Sequence, residues 1–248
     1  MFRVFKDFFA GRKCNFYLPP APEKDRNEIV VLIHGLIHRS FYLYSLGKFF
    51  RNAGFSVYIY DYKTASKTIS HHAGDFKLFL ERIVRESPPE VKISIVTHSL
   101  GGIVTREALG HLAPGNDWSG ETLTPDRIKR IVMLAPPNLG SYAAKVLLKI
   151  LPISGSLLKP LPELSSETSA YVHSVPVPDG IEIGVIAGKY DLEVAICLTK
   201  LANQKDHITL VSEHTFMMFM PSVRRAALRF IETGSFKKCD EAMPIKLL

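Results

Sequence analysis

Two hydrophobic rhythms alternate along this chain. Ile29–His34 is an unbroken apolar run, as a parallel strand buried on both faces requires. Ser40–Ala53 then places Leu43, Leu46, Phe49 and Phe50 at helical spacing, with Ser40 as N-cap and Gly54 as the stop. Phe55–Tyr60 alternates as a strand. Ser70–Glu86 carries Phe76, Phe79, Leu80 and Ile83 on one helical face until Pro88 and Pro89 end it. Lys92–Thr97 reads as a strand and Leu100–Leu112 as a helix; after a polar loop (Ala113–Pro125), Arg127–Leu134 is a strand again. Ile181–Ala187 and Ile208–Val211 read as the last two strands. Pro221–Thr233 closes the pattern as a helix, with Pro221 in its first turn and Gly234 just past its end.

Strands alternating with helices predict βαβ units, a mostly parallel sheet and right-handed crossovers. The expected fold class is therefore α/β: about six strands flanked by about six helices in one domain. That domain spans residues 29–236, between an N-terminal segment (1–28) and a C-terminal tail (237–248). The irregular stretch Ala135–Asp179, rich in Pro, Ser and Leu with one helix-like part at Tyr142–Leu151, reads as an insertion between strands.

Composition narrows the classes. A chain of 248 residues with 46% hydrophobic side chains buries a core without disulfides or a metal, which excludes disordered and mini-protein scaffolds. The net charge of +7 is spread thinly. Its largest clusters are pairs such as Arg224-Arg225 and Lys237-Lys238, so no nucleic-acid partner is expected. Cys14, Cys197 and Cys239 show neither disulfide nor zinc spacing and suit a reducing compartment, hence a cytoplasmic location. His71-His72 lacks partners at metal spacing and reads as a solvated helix start. No phosphate-cradling glycine motif stands anywhere, so no cofactor and no metal are implied. The apolar stretch around Ala143–Ile153 is broken by Lys145, Lys149 and Pro152 and cannot span a bilayer. Phe2, Phe5 and Phe9 share one helical face; such a segment either docks on its own domain or makes peripheral membrane contact.

The chemistry concentrates at Thr97-His98-Ser99-Leu100-Gly101-Gly102, where a buried strand meets a helix. A nucleophile elbow needs that context: a sharp turn lifts Ser99 above the sheet edge, and small neighbours let strand and helix approach. Thr97 stands where G-x-S-x-G has its first Gly. The competing role for Ser99 is N-cap of the following helix. A serine hydroxyl needs a base, and chain order places acid then histidine after the nucleophile. His214 follows the last strand by a short loop, whereas His207 lies at that strand's opposite end. For the acid, Asp191 follows strand Ile181–Ala187, with Glu193, Asp206 and Glu213 as competitors. An oxyanion hole needs two backbone N–H donors. Leu100 offers one; Leu36, after the turn His34-Gly35, offers the other.

Val30–Leu36, Thr97–Gly102, Ile131–Ser141, Gly184–Gly188 and His214–Met218 resemble the α/β-hydrolase superfamily. More narrowly they are similar to bacterial lipase/esterase-like proteins of the class-2 lipase and GPI inositol-deacylase-like group, over roughly Ile29 to Phe236. The resemblance implies an α/β-hydrolase fold with a small cap, and it maps the catalytic Asp and His onto Asp191 and His214. A Gly commonly follows that Asp in the group; Leu192 stands here. The implied function is a serine hydrolase of apolar or lipidic carboxylic esters working through an acyl-enzyme. Acyl transfer and thioester hydrolysis share that machinery, and a non-catalytic lipid or partner binder is the rival from another class. Leu and Ile within Ala143–Leu164 either line a cap for an acyl chain or pack on the sheet. For Phe216–Met220 the choice is between an acyl pocket and core packing, and core packing is the expectation.

Overall fold

The computed structural model describes residues 15–110, 112 and 123–237. Its strands are β1 (Phe16–Leu18), β2 (Glu28–Ile33), β3 (Ser56–Tyr60), β4 (Lys92–His98), β5 (Ile128–Leu134), β6 (Glu182–Gly188) and β7 (Asp206–Leu210). They form one sheet in the order β1-β3-β2-β4-β5-β6-β7. β1 runs antiparallel to β3, and the other pairs are parallel. The helices are α1 (Tyr44–Asn52), α2 (Ile69–Glu86), α3 (Leu100–Leu109), α4 (Tyr142–Ile150), α5 (Ser154–Leu157), α6 (Pro160–Glu163) and α7 (Pro221–Thr233).

Successive side chains of β2 go to opposite faces, and both faces are covered. Val31 and Ile33 pack with Phe76 and Leu80 of α2 and Ile103 of α3. Val30 and Leu32 pack with Phe50 of α1 and Phe230 of α7. An unbroken apolar strand is what this two-sided burial demands. The chain passes from β2 outward to β3, then returns to place β4 on the other side of β2. The order reverses between β2 and β4, and the crevice at the carboxyl ends of such a pair is where open α/β sheets bind ligands. The register Ile33↔Thr97 brings those two strand ends level.

The architecture differs from the sequence expectation in particulars. β1 adds a seventh strand to the six expected; at three residues it is too short for a periodic signal. Ser40 is not an N-cap. It opens a 3-10 turn (Ser40–Leu43) ahead of α1, and its N–H donates to Asp61 Oδ1 at 2.9 Å. α3 ends at Leu109, just before Gly110, rather than at Leu112. β7 begins at Asp206. His72 is buried, with its ring bonded to the Thr64 carbonyl at 3.2 Å, so only His71 of that pair is a solvated helix-start residue. Phe2, Phe5, Phe9, Cys14 and Cys239 lie outside the described residues. Among those described, no helix is long and apolar enough to cross a membrane, and no cluster has a metal's ligand set.

Between β5 and β6 the chain forms α4, α5 and α6. Arg106 of α3, itself buried, ties this excursion down. It donates to the carbonyl and side-chain oxygen of Asn138, to Pro176 O at 3.3 Å, and to Val175 O.

Candidate active site

β4 ends at His98, and Ser99 turns the chain into α3 with φ 51° and ψ −124°. A positive φ costs a non-glycine residue about 1–3 kcal/mol and persists only where its surroundings enforce it. They do so here. Ser99 N–H donates to Leu134 O of β5 at 2.9 Å, and Ser99 O accepts from Gly102 N–H at 2.8 Å. A Cβ on Gly101 would stand 2.8 Å from the carbonyls of Ile33 and His34, so only glycine lets α3 approach β2 this closely. A Cβ on Gly102 would stand 3.2 Å from Thr97 Oγ1. The bulk that Thr97 adds at the elbow is thus accommodated by the absence of a side chain at Gly102. Ser99 occupies the N-cap position, yet its hydroxyl makes no capping bond. It is free for other use.

The turn after β2 faces the elbow. A Cβ on Gly35 would meet Ser99 Cβ at 2.8 Å, so the Gly35 backbone lies directly against the serine. Tyr62 Oη donates to His34 O (2.8 Å), Ile37 N–H to Thr64 Oγ1 (2.9 Å) and His38 Nδ1 to Leu36 O (2.9 Å). Ile37 itself holds φ 64°, an outlier for a β-branched residue. These bonds fix the peptide that carries the Leu36 N–H. The Leu100 N–H lies in the first turn of α3, where a helix leaves its amides without intrahelical acceptors.

On the far side of the elbow, β6 ends at Gly188 and β7 at Leu210. Asp191 Oδ1 accepts from the N–H groups of Glu193 (2.9 Å) and Val194 (2.8 Å), and its Oδ2 bonds His214 Nδ1 at 2.7 Å. One carboxylate thus both shapes its own loop and orients the imidazole. Because a carboxylate only accepts, Nδ1 carries the proton and Nε2 presents its lone pair. His98 links this loop to the elbow: its ring lies 4.9 Å from that of His214, and its Nε2–H donates to His214 O at 3.1 Å. Burial pushes the His98 pKa well below the usual histidine value, so the ring is neutral and its Nδ1 is a buried acceptor with no partner. For His214, burial works to lower the pKa. The Asp191 hydrogen bond and charge outweigh it, aided by Glu193 and Glu213, and the net pKa is raised.

The competitors take other places. Asp206 Oδ2 accepts from Ser235 Oγ and Phe236 N–H, at the end of β7 remote from Ser99. His207 is not a solvent-facing loop residue; it is partly buried, with Nε2 on Thr199 Oγ1 at 2.9 Å. Glu213 Oε1 accepts from Phe216 N–H. Glu193 does approach the site: its Oε2 lies 3.6 Å from His214 Nε2, on the opposite ring edge from Asp191. Among the described residues no hydrogen bond joins the Ser99 hydroxyl to His214; such bonds are often long in a free enzyme and tighten when substrate binds. Met217 and Met218 are core residues and Phe216 is exposed, so this segment does not form one pocket wall.

Sequence reasoning missed the bracing by Tyr62, Thr64 and His98. His98 had one signal, its position beside Ser99. Tyr62 and Thr64 come from the connection after β3 and carried none.

The family described as "Serine aminopeptidase, S33" (Hydrolase_4) matches residues 24–174, more than half of the chain. No curated protein matches the sequence. Among solved structures, a Bacillus licheniformis lipase in its mature form is similar at 15% identity and a TM-score of 0.64, covering 88% of this chain and 96% of that one. The chain spans 53% of the propeptide form of the same lipase. A Thermogutta terrifontis esterase bound to propionate matches at 16% identity and a TM-score of 0.56, with 89% and 86% covered. The type II thioesterase of the yersiniabactin pathway matches at 14% identity and a TM-score of 0.56, with 88% and 96% covered. At these identities the likenesses speak for the fold. With the parallel sheet, the elbow between β4 and α3 and the matched family together, the chain belongs to the Hydrolase_4 family of α/β-hydrolases.

Proposed function

We propose that the protein is a serine hydrolase of carboxylic esters with apolar acyl groups. The carrying observation is the 2.7 Å bond from His214 Nδ1 to Asp191, with the His214 loop tied to the elbow by His98, the residue before Ser99. In this reading His214 Nε2 takes the Ser99 proton as Oγ attacks the ester carbonyl. The N–H groups of Leu36 and Leu100 hold the oxyanion. The alkoxide leaves with the proton from His214, giving an acyl-enzyme, and water activated by the same imidazole releases the acid. Asp191 keeps the tautomer and stabilises the imidazolium. No cofactor enters any step. The α4–α6 excursion serves as the cap of a single catalytic domain, and the cysteine pattern suits a cytoplasmic enzyme.

A fluorophosphonate probe tests the nucleophile. Wild type is expected to be labelled at Ser99. Ser99→Ala is expected to lose labelling, with p-nitrophenyl ester turnover down by about a million-fold, as in a well-studied serine hydrolase. Turnover within tenfold of wild type would refute the assignment. Thioester hydrolysis uses the same residues, and comparing p-nitrophenyl butyrate with butyryl-coenzyme A separates the two activities.

A further inference from the structure

Burying a carboxylate removes its charge from water at a cost that pairing often fails to return, so such a group needs a reason. Asp61, the first residue after β3, has a side chain with no exposure at all. That side chain grips the connection between β2 and the 3-10 turn at Ser40. Arg39 donates to it twice, from Nε to Oδ1 at 3.1 Å and from Nη2 to Oδ2 at 2.7 Å. Ser40 N–H donates to Oδ1 at 2.9 Å, and His34 Nε2 lies 3.4 Å from the same oxygen. Asp61 is held from behind as well, since its own N–H donates to Asn15 Oδ1 at 2.7 Å.

His34 and Arg39 bracket the residues that face the elbow. Between them stand Gly35, whose backbone lies against Ser99, and Leu36, whose N–H is the proposed oxyanion donor. Ile37 stands there too, at φ 64°, where a β-branched residue is strained. Its side chain gains nothing in return, being 70% exposed. A strained residue keeps its conformation only where its surroundings over-determine it. One flank of Ile37 is fixed by uncharged bonds, Tyr62 Oη on His34 O and Thr64 Oγ1 on the Ile37 N–H. The other flank is fixed by the Asp61 carboxylate, through Arg39 and Ser40.

We infer that Asp61 is a positioning residue, whose grip on Arg39 and Ser40 holds Ile37 in the left-handed conformation that aims the Leu36 N–H at the oxyanion. The inference rests on the proposed hydrolysis for its purpose; the grip itself can be measured without turnover. Asp61→Asn tests it. The asparagine Oδ1 still accepts from Ser40, but its NH₂ group turns a donor towards the Arg39 fork. kcat for p-nitrophenyl butyrate is expected to fall about thirtyfold with KM unchanged, because the Leu36 amide acts on the transition state. Fluorophosphonate is expected to label the same fraction of molecules, only more slowly. Amide hydrogen exchange across residues 34–40, followed by mass spectrometry, is expected to quicken. Asp61→Asn/Ile37→Asn is the decisive variant. Asparagine adopts a positive φ more readily, so it is expected to return about fivefold of the lost rate and to slow the exchange again. A carboxylate serving stability alone would lower Tm, and a change at the exposed Ile37 would restore no rate. Arg39→Gln, with and without Ile37→Asn, makes the same measurements from a partly exposed side chain if Asp61→Asn does not fold. Exchange and kcat that match wild type in these variants overturn the inference, as does a rate loss that Ile37→Asn leaves untouched. If wild type takes the label and the variants match it, this inference alone fails. If wild type takes no label while exchange changes as stated, only the proposed chemistry fails.

Discussion

His214 carries a carboxylate on each edge of its ring, and the two differ in kind. Asp191 bonds Nδ1 from a buried position, whereas Glu193 approaches Nε2 at 3.6 Å from an exposed one that water and salt screen. Asp191 sets the tautomer; Glu193 adds negative charge beside the nitrogen that must accept a proton. A base works only when neutral, and the His214 pKa is raised. The acid limb of the pH–rate profile is therefore expected above about 6.5, the ordinary histidine value. Glu193→Gln removes charge that favours the imidazolium, so the limb moves to lower pH while the plateau rate holds. Asp191→Asn is expected to cut kcat by about 10⁴-fold through the wrong tautomer. Measuring kcat/KM against pH for the three proteins checks both statements; a plateau collapse in Glu193→Gln would make Glu193 the acid.

α3 holds the elbow at one end and the β5–β6 excursion along its flank. Arg106 makes the second connection. Burial pushes its pKa down to about 10, so it stays charged at neutral pH, its charge met by carbonyl oxygens. Arg106→Ala strands buried carbonyls of Asn138 and Val175, at a cost of about 3 kcal/mol. For a chain of this size that is roughly 6–12 °C in Tm. Thermal unfolding followed by circular dichroism checks it; a shift under about 2 °C would mean that water replaces the guanidinium. The elbow is local in sequence, and its strand, turn and paired glycines were legible there. The role of Arg106 was not, because all its acceptors lie more than thirty positions away.

At the scale of the whole molecule, two apolar layers cover opposite faces of one sheet and share β2 to β6 between them. Neither layer closes without the strands that the other also uses. Residues 29–236 are therefore expected to unfold as one unit, with coincident transitions by calorimetry and by near- and far-ultraviolet circular dichroism. Two separated transitions would split the domain.

Alternating periodicity was enough to determine the α/β class and the parallel sheet, because each is a property of neighbouring residues; Ser99, Asp191 and His214 stood out as candidates only through the strand–helix context, chain order and the resemblance. β1 escaped, as three residues carry no period. The outward-turned α4 escaped too: an apolar stripe shows that a face exists, not which way it points. Tertiary structure alone decided three things. It reversed the strand order at β2 and β4, which brings Gly35 against Ser99. It set Asp191 and not Asp206 within hydrogen-bond reach of His214, since the strand end on which a loop stands depends on sheet direction. And it left the apolar face of α4 in the open, because both faces of the sheet are already covered, by α2 and α3 on one side and α1 and α7 on the other.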